Sequence, residues 1–172
     1  MSGRIAVVTE DNRFLRWSHR AAIHEHRLLH RSVHVIIHDR AGRLVLQRRH
    51  PSKDNNPDRW DISVSGHVEE DDYLGGPDER LDEVYAAVAR RETLEELGVE
   101  TELTYVRRLY PVADVHYELI ALFRGVHDGP YVPQPEEITA VRAVTPAEMT
   151  RMLAEEPVTS GLRWFAELGL LF

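Results

Sequence analysis

Between Arg91 and Val99 the chain reads Arg-Glu-Thr-Leu-Glu-Glu-Leu-Gly-Val, which sets three carboxylates and an arginine within about two helical turns. At roughly 100° per residue, Glu92, Glu95 and Glu96 share about a quarter to a third of a helix circumference, with Leu94 turned the other way. Glu92 and Glu96 are like charges four residues apart, a repulsion of about 0.2–0.5 kcal/mol. A divalent cation reverses that sign, because hard ions such as Mg²⁺ are held by a few carboxylates together with substrate phosphates. An isolated E-x-x-E-E is more often a solvated helix face, so the surrounding residues must decide.

The elements that would carry these groups can be read from periodicity and turn residues. Arg4 to Thr9 and Arg13 to Trp17 read as two short strands about Asp11-Asn12. Arg20 to His30 is rich in histidine, and helix and irregular structure both fit it. Ser32 to His38 and Leu44 to Gln47 read as a hairpin across Asp39-Arg40-Ala41-Gly42, followed by a loop from Pro51 to Asp58 and a strand from Trp60 to Val64. The acidic helix ends at Gly98, a favoured residue just past a helix end. Glu102 to Tyr110, His116 to Gly125 and Ile138 to Val144 are further strands. Thr145-Pro146-Ala147-Glu148 combines an N-cap, a proline at the first helical position and a capping-box glutamate, and predicts a helix to about Glu155, with another from Ser160 to about Leu168. Mixed strands with few helices predict an α+β sandwich about a mixed sheet.

Composition sets outer bounds. At 172 residues the chain is expected to form one domain, residues 1–172, with a hairpin and His-rich segment over 1–30. There is no cysteine, hence no disulfide framework, thiolate metal site or cysteine nucleophile. No signal-like leader or long apolar run is present, so a cytoplasmic protein without membrane association is expected. A net charge of −8 argues against stable nucleic-acid binding through phosphates. Phosphates would have to be met by a local basic patch, of which Arg48, Arg49 and Lys53 form the best, and by metal ions. Alternation along a strand turns Arg48 and Arg49 to opposite sides, so one of them serves.

Gly66, Glu83, Arg91, Glu92, Glu95, Glu96, Gly98 and Val99 together resemble the Nudix signature, G-x5-E-x7-R-E-U-x-E-E-x-G-U with U an aliphatic residue. Thr93 replaces an aliphatic residue. Sixteen residues separate Gly66 from Glu83 where the signature has five, and the segment 67–82, acidic and containing Gly75-Gly76-Pro77, reads as an exposed insertion within the signature. A helix starting at Pro77 would turn Glu83 about half a turn from the acidic face, which makes it a weak ligand. The resemblance implies an α/β/α Nudix sandwich and a Mg²⁺ site, with Mn²⁺ as a substitute. Glu92 and Glu96 are then ligands, Glu95 a further one and the Gly66 carbonyl an added contact, with Arg91 pairing Glu95 and orienting the face.

A second layer of motifs, His30-Arg31-Ser32-Val33-His34-Val35, Leu46-Gln47-Arg48-Arg49, Lys53-Asp54 and Trp60 to Val68, is similar to the Nudix branch containing type I isopentenyl-diphosphate isomerase and its hydrolytic relatives. His24, His30 and His67 resemble that isomerase's metal ligands in order, with His24 one residue out of register. The isomerase pattern has a cysteine where this chain has Ser65, and Glu-x-Glu where it has His116-Tyr117-Glu118. A hydroxyl is a poorer proton shuttle than a thiol near neutral pH. With an intact Arg91-Glu92 and Glu95-Glu96, these differences imply hydrolysis: a pyrophosphohydrolase cleaving a phosphoanhydride bond in a nucleoside di- or triphosphate or related nucleotide. The alternatives are isomerase-like chemistry or a non-catalytic nucleotide-binding module. Glu92 and Glu118 both serve as bases in relatives. Trp60 could stack on a base or fill the core.

Overall fold

A computed structural model describes residues 3–172 of the chain. In chain order its elements are β1 (Arg4–Val8), β2 (Phe14–His19), α1 (Arg20–Glu25), β3 (His30–His38), β4 (Leu44–Arg49), β5 (Trp60–Asp61) and β6 (Val64–His67). A 3₁₀ turn (Glu70–Asp72) leads to α2 (Leu81–Leu97), then β7 (Leu103–Leu109), β8 (Glu118–Val126), β9 (Ile138–Val144), α3 (Pro146–Glu155) and α4 (Ser160–Glu167).

β3 is the hub of the mixed sheet. It runs parallel to β8 from His30↔Glu118 to His38↔Val126, and antiparallel to β6 from Ser32↔His67 to Val35↔Val64. The expected hairpin with β4 survives as one rung, His38↔Leu44. Beyond it β4 leaves to pair with β9 and β5. The single strand expected from Trp60 to Val64 is correspondingly two, because the chain crosses from β4's side to β3's side at Ile62-Ser63. Ser63 closes the fork: its hydroxyl donates to Val45 O (2.6 Å) and accepts from Ile37 N–H (2.8 Å).

Alternate residues of the central strands feed two cores, as a two-residue period demands. Val33, Val35, Ile37, Ala121 and Phe123 pack against Val84, Tyr85, Val88, Ala89 and Leu97 of α2. Ile36, Leu44, Leu46, Ile120 and Leu122 face Met149, Met152, Leu162 and Phe165 of α3 and α4. Each fully buried aliphatic or aromatic side chain contributes roughly 1.5–3 kcal/mol. The α/β/α layering is thus present. Thr93 fits the core by donating its hydroxyl to Ala89 O (2.7 Å), which offsets the loss of an aliphatic group.

Two expectations around the inserted segment need correcting. The helix begins at Leu81 rather than Pro77, after Arg80 in left-handed conformation (φ 50°). Nor is the segment a free loop. Arg31, fully buried, donates to Asn12 Oδ1 and Asn12 O (2.7 Å each), Asp78 (2.6 Å), Tyr73 (3.1 Å) and Pro77 O, which ties the segment to the β1–β2 turn. Only its outer residues, such as Leu74, Gly75 and Glu79, are exposed.

Candidate active site and metal centre

Where β3 and β4 part, a cleft of about 670 Å³ opens. Its walls come from α2 (Arg91, Glu92, Glu95, Glu96), β6 (Ser65, Gly66, His67), β3 (His30, Ser32, His34), the start of β8 (Glu118), and the end of β4 with its following loop (Arg49, Lys53).

On the acidic wall, α2 presents its three glutamates side by side. Arg91 Nη1 meets Glu92 (2.9 Å) and Glu95 (3.0 Å), while its Nε and Nη2 fork onto Asp72 (3.2 and 3.0 Å). Glu96 accepts from Gln47 Nε2 (2.8 Å) and Ser65 N–H (3.3 Å). Gly66 lies directly against Glu92, so closely that a Cβ there would overlap its carboxyl group. Burial first, then neighbouring carboxylates, push Glu92 up to about 7 and Glu96 up to about 8. A bound dication would favour the charged form that burial opposes here. Glu83 is absent from this wall: it is exposed on the first turn of α2 and paired with Arg80.

The opposite end is built of imidazoles around Glu118. Register alone brings Glu118 beside His30, and β6 delivers His67. Burial, more than any charge, holds His67 down at about 3 and His116 at about 4, so both rings are neutral at pH 7. Burial alone would raise Glu118, but the His34 hydrogen bond and the neighbouring imidazoles hold it well below the usual carboxylate range. Its Oε2 accepts from Ser32 (2.8 Å) and lies 3.2 Å from His34 Nε2. His30 Nδ1 lies 2.7 Å from Leu28 O, an acceptor that orients the ring and turns Nε2 toward Glu118 (3.8 Å). Nε2 of His30 and of His67 are buried without hydrogen-bond partners among the described residues. One ligand atom each from His30, His67 and Glu118 lie within 4.8 Å of one another. This group fits a metal ion that accepts nitrogen ligands. His24 stands at its edge, its ring 5.4 Å from that of His67.

On the basic wall, alternation resolves the arginine pair. Arg49 lines the cleft, near Asp61 (3.7 Å) and donating to Asn55 O (3.2 Å). Arg48 turns away to Asp58 (2.8 Å) and the Trp60 ring. Lys53 reaches the cleft in an ion pair with Glu137. Trp60 is core, 2% exposed. Sequence reasoning assigned no role to Ser32, His34 and Gln47, although all three lie in the motifs shared with the isomerase branch, nor to Asp72, which reaches Arg91 from within the inserted segment.

The NUDIX domain family profile matches residues 28–165. The uncharacterized Nudix hydrolase YfcD of Salmonella typhi is 33% identical over 147 residues, which cover 85% of this chain and 74% of that protein. An isopentenyl-diphosphate Δ-isomerase of Streptomyces avermitilis is 37% identical over 144 residues, covering 80% of this chain and 66% of the isomerase. Among solved structures, DR0079 of Deinococcus radiodurans superposes with a TM-score of 0.77 at 23% identity, over 96% of this chain and 98% of its own.

Proposed function

Because the chain belongs to the Nudix family, we propose that it is a Mg²⁺-dependent pyrophosphohydrolase. Its substrate would be a nucleoside di- or triphosphate or a related nucleotide. The observation that carries the reading is one cleft in which Glu92, Glu95, Glu96 and Gly66 face Arg49 and Lys53. Mg²⁺, or Mn²⁺ in its place, would be held by Glu92 and Glu96, with Glu95 and the Gly66 carbonyl as further ligands. When bound, such an ion neutralises phosphate charge and acidifies a water. Arg49 and Lys53 exchange their present carboxylate partners, Asp61 and Glu137, for phosphate oxygens. A water oxygen attacks phosphorus, the bridging P–O bond breaks, and the water's proton passes to Glu92 or Glu118.

A second reading, isomerase-like proton transfer on a diphosphate, is favoured by the His30–His67–Glu118 group and opposed by Ser65 and His116. The discriminating experiment incubates the protein with Mg²⁺ and a panel of nucleoside di- and triphosphates, dinucleotide polyphosphates and nucleotide sugars, and measures released phosphate or pyrophosphate. Turnover that disappears in Glu92→Gln and Glu96→Gln is the expected result. Deuterium uptake from heavy water into isopentenyl diphosphate, without hydrolysis of the panel, would sink it in favour of the isomerase. Thermal stabilisation by nucleotides with no product would instead leave a binding module.

A further inference from the structure

Aligning the signature by its sequence assigns its first acidic position to Glu83. The structure removes Glu83 from the cleft and puts another carboxylate in contact with the signature arginine. Five residues, His67 to Asp71, separate Gly66 from Asp72, the spacing the signature asks for. The eleven extra residues therefore fall after the acidic position, between it and Arg91. We propose that Asp72, an aspartate where the signature has glutamate, is the positioning residue for the carboxylate wall, acting through Arg91. This inference rests on the hydrolase reading of the site.

The geometry that carries it is a division of one guanidinium between two jobs. Nε and Nη2 of Arg91 point at the two oxygens of Asp72 (3.2 and 3.0 Å), a forked pairing that fixes the plane of the group. The remaining nitrogen, Nη1, is thereby aimed between Glu92 (2.9 Å) and Glu95 (3.0 Å). Asp72 is itself held. Its side chain is 15% exposed, and Oδ2 also accepts from Glu69 N–H (2.8 Å) in a capping box that closes the 3₁₀ turn. That turn is anchored to β1 by the Ile5↔Glu69 bridge and by Arg4 on Glu70 (2.7 Å). Orientation thus runs from β1 through the turn to Asp72, Arg91 and the glutamates. Glu83 has none of these links: its carboxylate is 57% exposed and engaged by Arg80 within the same turn of helix.

Without Asp72, Arg91 keeps its charge but loses its fixed plane. It can then swing both of its edges onto Glu92 and Glu95 and compete with a cation for their oxygens. Residues that orient metal ligands at one remove typically change metal affinity or activity by about 10–100-fold. The test measures Mn²⁺ binding to the substrate-free protein by electron paramagnetic resonance, the Mg²⁺ concentration for half-maximal turnover, and melting temperature. Asp72→Ala and Asp72→Asn are expected to weaken Mn²⁺ binding and raise the Mg²⁺ requirement at least about tenfold, with KM for nucleotide little changed. Asp72→Glu is expected to recover much of the loss, Glu83→Gln to behave as the parent protein, and Asp72→Ala to add nothing in an Arg91→Ala background. The inference is overturned if Asp72→Asn keeps the parent Mn²⁺ affinity, if Glu83→Gln is impaired as much, or if the Asp72 and Arg91 effects add. Should Asp72→Ala melt early, Asp72→Asn and the double variant still decide the matter. A parent protein that binds Mn²⁺ but hydrolyses nothing would refute the hydrolase reading alone, since the binding arm needs no turnover.

Discussion

Gly66 and Glu92 stand so close that a methyl group on the glycine takes the carboxylate's place. Gly66→Ala is therefore expected to lower turnover at least about 100-fold, the cost of displacing the proposed metal-binding carboxylate by about an ångström, with a small change in melting temperature. Steady-state rates and a thermal melt on the same preparation check this. Across the cleft, Arg49→Ala is expected to raise KM for nucleotide about tenfold, in keeping with a lost charged hydrogen bond, while Arg48→Ala stays within about twofold. Equal effects from the two would contradict their opposite orientation. The sequence could show that the two arginines diverge but not which one enters the cleft. That depends on which partner strand β4 follows after the fork. Arg31 was less legible still. An arginine between His30 and Ser32 on an alternating strand reads as one more polar residue, and only the meeting of Asn12, Tyr73, Pro77 and Asp78 around it explains its burial.

At the scale of elements, α2 carries a titration that the proposed metal ion would relieve. Glu92 and Glu96 are raised from 4.5 to about 7 and about 8. A raised carboxylate favours the folded state while protonated, so its contribution is complete below the unfolded value of 4.5 and is lost as pH climbs through 7 and 8. His67 and His116, lowered to about 3 and 4, act oppositely but only below their unfolded value of 6.5. Between pH 6.5 and 8.5 the metal-free protein is thus expected to melt at progressively lower temperature. Mg²⁺ or Mn²⁺ should restore it, more at the upper end where protons no longer compete. A flat profile in this window for the metal-free protein would contradict the burial of the pair. The elements themselves were largely readable. β9 spans Ile138–Val144 as expected, and α3 has Thr145 and Glu148 in their reciprocal cap (Thr145 N–H to Glu148, 2.7 Å). Local signals suffice where local hydrogen bonds decide. They failed at Ile62-Ser63, where one strand becomes two because the chain changes partners, a choice made by distant strands. They also failed at the start of α2, since Arg80 adopts a left-handed conformation that no proline or glycine announces.

For the molecule as a whole, Arg31 is the tie between the amino-terminal hairpin, the inserted segment and the sheet. Arg31→Ala leaves Asp78 and the carbonyls of Asn12 and Pro77 without their donor, and with Asp78 itself a third exposed the loss is about 1–3 kcal/mol. It should also make the segment around Leu74 to Glu79 sensitive to protease, read by denaturant unfolding and by mapping the first cleavage. Cleavage elsewhere, with the segment intact, would mean another contact holds it. Ser63 has a broader consequence. The acidic wall rides on β3, β6 and α2, the basic wall on β4, and past the last rung one hydroxyl bonds to both strands. The halves are joined there like tongs at a rivet, and again where Gln47 donates to Glu96 (2.8 Å), so any flexing is expected beyond Gln47, at the tips bearing Arg49 and Lys53. Phosphate chains of different length would be accommodated there, while the carboxylates nearer the pivot keep their spacing.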